Sequence, residues 1–360
     1  MRILWLNHRD PEHPLAGGAE RTLYEVGRRF VLAGHAVDVV SGGWPGAPAR
    51  SHIEGMSVRR FPTPLLPHAM LPLVLRSRPR PEFVIDDLAH VLPWGTPRLS
   101  HLDGAVFFRH LHARTLPGQV GNASAALLTR VERSYGRIYT ERPFVTETPG
   151  SARDLESLGI VRNRCRVILP GVDAHRFHPG ARGLRPRIVY FGGMRPYKRP
   201  EHALRAFGLV RRTRPDAELS VVGDGPELPG LQRSARELGL QSSVTFHGRV
   251  STEQLPSILQ SSWVNLHCAV AEGWAYSILE AAACGVPTVA YRVPHLEDSV
   301  VEGQTARLTP DGDPAGLAAA LDDVLADIET WARRARAYAE TLPWSKTAEQ
   351  WTTSLKQFVS

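Results

Sequence analysis

The feature that most constrains this chain is an alternation of short apolar strands with amphipathic helices, which runs from the N-terminus, lapses, and starts again at Arg187. Arg2–Leu6 is a continuous apolar strand. A Gly17-Gly18 turn follows, then an amphipathic helix over Ala19–Leu32, a stop at Ala33-Gly34-His35 and a second strand, Ala36–Val40. A strand that is apolar throughout is one covered on both faces, so this order defines a βαβ unit of a parallel sheet. Further strands are expected at Val58–Phe61, Phe83–Ile85, Ala105–Phe108, Arg137–Tyr139, Phe144–Val145 and Arg166–Leu169. A Pro, Gly and Arg-rich stretch, Pro179–Pro186, then shows no periodicity and reads as a linker. The second run places strands at Ile188–Phe191, Glu218–Val222, Val244–Phe246, Trp263–His267 and Pro287–Ala290, with helices between, and ends in helices Ile328–Glu340 and Ser345–Phe358.

The 360 residues therefore divide into a first α/β domain over 1–178, a linker over 179–186 and a second α/β domain over 187–342, with a terminal helix over 343–360. Open sheets of this kind bind ligands beyond the carboxyl ends of their strands. Two such domains facing one another would enclose a deep cleft.

Composition removes several function classes. With 42% hydrophobic and 22% charged residues the chain is neither disordered nor an integral membrane protein. The formal charge is +7, but only three of the 43 basic residues are lysines (Lys198, Lys346 and Lys356), a bias that reflects a GC-rich genome more than a nucleic-acid surface. The arginines are scattered and not interleaved with stacking aromatics, so no nucleic-acid partner is expected. A positive surface does suit phosphorylated ligands or an anionic membrane face. Cys165, Cys268 and Cys284 are odd in number and far apart, which fits neither a disulfide framework nor a zinc site and points to a reducing, cytoplasmic compartment. The short apolar run at the N-terminus ends in charge after seven residues and reads as a first strand, not a signal peptide.

Five segments could carry chemistry. Gly17-Gly18 is either a tight turn or a place where backbone amides approach an anion at a helix start. Gly192-Gly193-Met194-Arg195-Pro196-Tyr197-Lys198-Arg199 follows the first strand of the second domain, and its cations could pair with a diphosphate and stabilise charge on a leaving phosphate; the alternative is a solvated basic turn. Glu272-Gly273-Trp274-Ala275-Tyr276-Ser277-Ile278-Leu279-Glu280 sets two carboxylates eight residues apart, one in a glycine loop and one inside the following helix. Carboxylates accept two hydrogen bonds at once, as sugar and ribose hydroxyls require. The turn Gly223-Asp224-Gly225-Pro226 could border a nucleotide or serve only as a turn. His110 and His112, in Phe107-Phe108-Arg109-His110-Leu111-His112, close a first-domain strand where an imidazole could orient or protonate a bound group. No GxGxxG fingerprint, P-loop or GxSxG elbow is present.

Taken in order, these segments resemble the retaining nucleotide-sugar glycosyltransferases of family 4, which have the GT-B fold of two facing Rossmann-like domains. The resemblance spans Gly17-Gly18-Ala19, Val167-Ile168-Leu169-Pro170-Gly171-Val172-Asp173, Pro196-Tyr197-Lys198-Arg199, Val222–Pro226, Val244–Val250 and the Glu272-to-Glu280 element. It implies that Glu280 holds the ribose hydroxyls of the donor and that Glu272 contacts the transferred sugar. Lys198, with Arg195 or another neighbouring arginine, would hold the diphosphate. The remaining donor contacts it implies are Gly17, Gly18, Gly193, Gly225, Arg249, Val250, Gly273, Trp274, Ala275, Tyr276 and Ser277. His110, Glu272, Lys198 and Arg195 are the catalytic candidates. The resemblance further implies no divalent metal and no cofactor beyond the donor, a GDP- or UDP-sugar. It implies a terminal helix that crosses back onto the first domain.

Two departures from the family pattern stand out. The arginine usual early in the glycine loop falls on Gly193, with Arg195 two residues later. The usual first-domain histidine falls on Arg109, His110 or His112, depending on register. The residues after Glu272 are also bulkier than usual, and Pro294-His295-Leu296 stands where Pro-Gly-Leu is common. The expected function is transfer to a small-molecule or natural-product acceptor, through oxygen or sulfur, in the interdomain cleft. The alternatives are a mannosyl- or glucosyltransferase of cell-envelope glycolipid or polysaccharide, meeting an anionic membrane near Leu65–Arg80, and a non-catalytic nucleotide-sugar-binding homologue. Oligomeric state stays open.

Overall fold

The computed structural model describes residues 1–114, 116 and 120–359. The chain forms two compact units, one made of Met1–Gly171 together with the segment from Trp344 onward, the other of Val172–Pro343.

In the first unit the strands are β1 (Arg2–Leu6), β2 (Ala36–Gly42), β3 (Arg50–Ile53), β4 (Met56–Phe61), β5 (Phe83–Leu88), β6 (Asp103–Phe108), β7 (Phe144–Thr146) and β8 (Cys165–Val167). They lie in the order β3-β4-β2-β1-β5-β6-β7-β8. β3 is an antiparallel edge strand; every other neighbour pair is parallel. The order reverses between β1 and β5, where Ile3 lies beside both Val37 and Phe83. Trp5, fully buried on β1, centres the core, with Phe30, Phe107 and Trp351 packed around it at 6.4, 6.2 and 5.8 Å between ring centroids. Trp351 belongs to the last helix, Trp344–Phe358, which also ties in through Thr347 Oγ1 donating to the Leu169 carbonyl (2.8 Å). The terminal helix is thus part of the first unit because its tryptophan fills that unit's core.

The expected strand at Arg137–Tyr139 is instead a helical turn, Tyr135–Ile138. Ile138 N bonds Ser134 O at 3.0 Å and Tyr139 N bonds Tyr135 O at 2.9 Å, the four-residue pairing of a helix, and the turn buries Tyr135 and Tyr139 together.

The second unit contains β9 (Arg187–Phe191), β10 (Glu218–Val222), β11 (Val244–Gly248), β12 (Val264–His267), β13 (Thr288–Tyr291) and β14 (Ala306–Thr309). All pair in parallel in the order β11-β10-β9-β12-β13-β14. This is the doubly wound order 3-2-1-4-5-6, with its switch point between β9 and β12. The stretch Pro179–Pro186 packs inside this unit. Gly183 exchanges hydrogen bonds with Ser261 (3.0 Å) and Trp263 (2.9 Å), and Arg182 pairs with Glu329 at 2.5 Å. The change of unit comes earlier, at Val172, whose amide bonds Leu342 O at 2.8 Å.

Candidate active site

The second unit assembles its site at the switch point. The loop after β9 is held in shape by the turn after β10. Gly192 N bonds Val222 O (3.0 Å), Met194 N bonds Asp224 O (2.9 Å) and Glu227 N bonds Met194 O (3.1 Å). This zipper demands glycine at two places. A Cβ on Gly223 would lie 1.9 Å from Gly192 O, and one on Gly225 would lie 2.4 Å from Met194 O; both glycines have positive φ.

The loop after β12 is fastened to the same place. Val270 N bonds Tyr197 O at 2.9 Å. Arg199, in a left-handed conformation, donates to the carbonyls of Cys268 (2.8 Å) and Ala269 (3.0 Å), pairs with Asp311 and lies 4.8 Å from the Tyr291 ring centroid. Tyr190 donates to Lys198 O at 3.0 Å. The two loops therefore hold their end residues together, and Lys198 Nζ forms an ion pair with Glu272 Oε1. His267, the last residue of β12, places Nε2 at 2.9 Å from the same oxygen.

The electrostatics of this trio follow from its packing. Burial favours a neutral Glu272, but the Lys198 ammonium and the His267 hydrogen bond outweigh it and hold the carboxyl down at about 2. Burial likewise opposes charge on Lys198, and Glu272 outweighs it, raising the ammonium above its ordinary range. An ionised carboxylate only accepts, so His267 Nε2–H is the donor. Its Nδ1 is buried and has no partner among the described residues. His267 is not among the site residues expected from the sequence, where its one signal is its place as the final residue of a strand at the switch point.

The other expected donor contacts are distributed around this pair. Arg195 is exposed and carries no ion pair among the described residues, and a Cβ on Gly193 would sit 3.9 Å from its Cγ and Nε. Its side chain therefore runs beside the position where an arginine is missing. Arg199, the other neighbour of Lys198, is consumed by loop carbonyls. Gly273, Trp274 and Ala275 are buried, and the Trp274 indole N–H has no partner among the described residues. Tyr276 and Ser277 open the helix Tyr276–Ala283, and Glu280 is buried (6% exposed) at its fifth position. Arg249 is exposed and Val250 half-buried beyond β11, whose Gly248 O accepts from Gly223 N at 2.8 Å.

In the first unit, Gly17 precedes helix Gly18–Leu32, and its amide is already bonded by Glu20 Oε2 at 2.7 Å. Any anion there meets a carboxylate first. Arg109 is 4% exposed and bound by Asp87 through two bonds (3.1 and 2.7 Å), by Glu147 (2.7 Å) and by Ala19 O (3.1 Å). Its guanidinium is a structural tie between β5, β6 and that helix. His112 is held by Glu132 Oε1 (3.1 Å) and Ala89 O (3.3 Å), and the half-buried His110 lies 4.6 Å from its ring. Among the described residues no group of His, Cys, Asp or Glu is arranged to hold a metal ion, and no helix is long and apolar enough to cross a membrane.

Two doubly wound sheets and a lysine–carboxylate site at a switch point define the GT-B class of proteins. The family described as Glycosyl transferases group 1 matches residues 172–341, and that described as Glycosyltransferase Family 4 matches residues 16–176. The chain belongs to this glycosyltransferase family. It is 32% identical over 332 residues to a D-inositol 3-phosphate glycosyltransferase of Mycolicibacterium vanbaalenii, covering 82% of this chain and 72% of that one. A protein of the same description from Paenarthrobacter aurescens is 32% identical over 234 residues, covering 60% of this chain but only 57% of the relative's length. Among solved structures, a sucrose-phosphate synthase of Thermosynechococcus elongatus superposes with a TM-score of 0.82 at 20% identity, covering 99% of this chain and 98% of that one.

Proposed function

We propose that this protein transfers a glycosyl unit from a nucleoside-diphosphate sugar to a hydroxylated small-molecule acceptor, with retention of configuration. The observation that carries the reading is the Lys198–Glu272–His267 trio at the switch point of the second unit. A half-buried ammonium and a half-buried carboxylate that neutralise each other are poised to exchange partners when a donor enters. Lys198 turns to the diphosphate and stabilises the charge that grows on the leaving phosphate. Glu272, kept anionic, then accepts from hydroxyls of the transferred sugar, with His267 holding its orientation. Arg195, with no carboxylate of its own, supplies the second cation, and Glu280 receives the ribose. Family membership supports retention and the donor class, and the relatives named for D-inositol 3-phosphate support a small polyhydroxylated acceptor.

Calorimetric titration with UDP, GDP, ADP and TDP, without acceptor or metal, tests the donor site. Clear preference for one nucleotide is expected and names the base. Absence of binding by all four removes the reading, and binding without release of nucleoside diphosphate from any donor sugar leaves a non-catalytic homologue.

One surface favours a second reading, transfer to a membrane-bound acceptor at the cytoplasmic face. Leu65, Ala69 and Leu73 recur every four residues on the exposed side of helix Leu66–Leu75, and exposed Arg76, Arg78 and Arg80 follow. Flotation with anionic vesicles decides it: protein that stays at the bottom of the gradient belongs to the soluble-acceptor reading.

A further inference from the structure

The second unit has a cavity at the other end of its sheet from Lys198 and Glu272. Trp263 directly precedes β12, and Cys284-Gly285 closes the helix Tyr276–Ala283 just before β13, so both lie at the amino ends of strands. His267 and Glu272 lie at and beyond the carboxyl end of β12. With Pro179 and Gly180, the first group forms one side of a cavity of about 600 Å³. The other side is a single face of helix Ile328–Glu340. Glu329, Ala332, Arg333, Arg336, Ala337 and Glu340 follow the three- and four-residue spacing of that face.

The cavity exists because the positions around it are small: Ala332 and Ala337 on the helix, Gly180 and Gly285 opposite. Gly285 has a positive φ of 73°, and a Cβ there would lie 3.7 Å from Pro179 Cγ and 3.8 Å from Ala332 O. The floor is apolar. Ala332 and Cys284 are buried, and burial pushes the Cys284 thiol up to about 12, so it stays neutral. Trp263 is half-buried and its indole N–H is spent on Gly183 O at 2.9 Å, which leaves the ring itself to meet a ligand.

Three guanidinium groups and two carboxylates stand around this floor. Two pairs cancel: Arg182 with Glu329 at 2.5 Å and Arg336 with Glu340 at 2.7 Å. Arg336 also donates to the carbonyls of Phe177 (3.0 Å) and Ala283 (2.6 Å). It thereby covers the carboxyl end of helix Tyr276–Ala283, which would otherwise repel an anion. Arg333 is left over. It is exposed, pairs with no carboxylate among the described residues, and its side chain bonds Thr330 Oγ1 at 3.2 Å. Sites for small molecules combine an apolar lining with a few placed polar groups in volumes of roughly 300–1,000 Å³.

We propose that this cavity binds a small amphipathic anion, a flat apolar ring system bearing one carboxylate, sulfonate or phosphate. The ring lies over Cys284 and Ala332 beside Trp263, and the acid group meets Arg333, whose guanidinium fork suits such oxyanions. A cation would meet Arg333 with both carboxylates already engaged. The site lies apart from the donor-binding residues and does not rest on the glycosyltransferase reading.

The test is fluorescence titration of the full chain with 1-anilinonaphthalene-8-sulfonate, an aromatic ring system with one sulfonate, in the presence and absence of nucleoside diphosphate. N-phenyl-1-naphthylamine, which lacks the sulfonate, is the uncharged control. Saturable binding of the sulfonate probe, indifferent to the nucleotide, is expected. Arg333→Ala should weaken that probe about tenfold and leave the uncharged one within about twofold. Ala337→Trp, which fills the cavity from an exposed helix position, should weaken both by about tenfold or more. Thermal melting checks that each variant is folded. Displacement of the probe by nucleotide, or unchanged binding in both variants, overturns the assignment. Equal affinity of the parent for the two probes overturns the anionic class. Probe binding that disappears as the protein dimerises in sedimentation gives the cavity to a second copy, with the fully exposed Leu184 beside Arg182 as its plug, and overturns the small-ligand class.

Discussion

His267 and Lys198 reach the same oxygen of Glu272 from two different strands, His267 from the end of β12 and Lys198 from the loop after β9. The carboxylate is thereby held by a hydrogen bond that can persist and an ion pair that a diphosphate can take over. This arrangement separates the job of aiming Glu272 from the job of neutralising it, and it makes the residues distinguishable by experiment.

Lys198→Ala should lower kcat by about two to three orders of magnitude while weakening nucleoside diphosphate binding far less, because its charge matters most where the leaving phosphate becomes more negative. Steady-state turnover with calorimetry of the same variant reads both quantities. Parent turnover in that variant would remove the lysine from the mechanism.

Glu272 also predicts a pH dependence of stability. Its folded-state value, about 2, lies below the ordinary 4.5, so the pair's contribution is complete above about 4.5 and disappears as the pH falls toward 2. In Glu272→Gln that portion is absent at every pH. The Tm of the variant should therefore fall less steeply than that of the parent between pH 4.5 and 2, as followed by circular dichroism. Parallel curves would mean that Glu272 is not held ionised by its neighbours.

The two arginines flanking Lys198 should behave oppositely. Arg195→Ala removes an exposed cation, so stability should stay within about 0.5 kcal/mol of the parent while nucleoside diphosphate affinity drops roughly tenfold. Arg199→Ala removes the ties to the Cys268 and Ala269 carbonyls and should cost about 1–3 kcal/mol of stability. Urea unfolding and calorimetry on the pair decide this; a reversed pattern would hand the donor role to Arg199.

Gly225→Ala forces a Cβ to 2.4 Å from Met194 O at a backbone angle of +151°, so the zipper between the loops after β9 and β10 must open. We expect a loss of about 1–3 kcal/mol in unfolding free energy together with weaker nucleotide binding. Retention of both in the variant would show that the loops are not coupled through this turn.

Much of this was legible from local pattern. Continuous apolar strands, glycine loops and helix periods are short-range properties, so both βα series and the Lys198 and Glu272 segments could be read without coordinates. The Arg137–Tyr139 segment misled because three residues of mixed character fit a strand as well as a helical turn, and only the backbone bonds Ile138 N to Ser134 O and Tyr139 N to Tyr135 O decide between them. The linker at Pro179–Pro186 looked structureless for want of periodicity, although its backbone is bonded to Ser261 and Trp263 some 80 residues on.

By itself the sequence determined the parallel α/β class, the two-unit plan and the family, because each depends on the order and spacing of residues along the chain. The tertiary structure alone decided which charges meet. That Arg109 is spent on Asp87 and Glu147, that Arg199 clasps loop carbonyls while Arg195 stays exposed, and that His267 joins Glu272 are consequences of strand order, not of neighbourhood in the chain. The same holds for His8, His68 and His90, up to 82 positions apart, whose rings meet beyond the ends of β1 and β5. Coulomb and hydrogen-bond energies act over a few ångströms, and it is the fold that sets those distances.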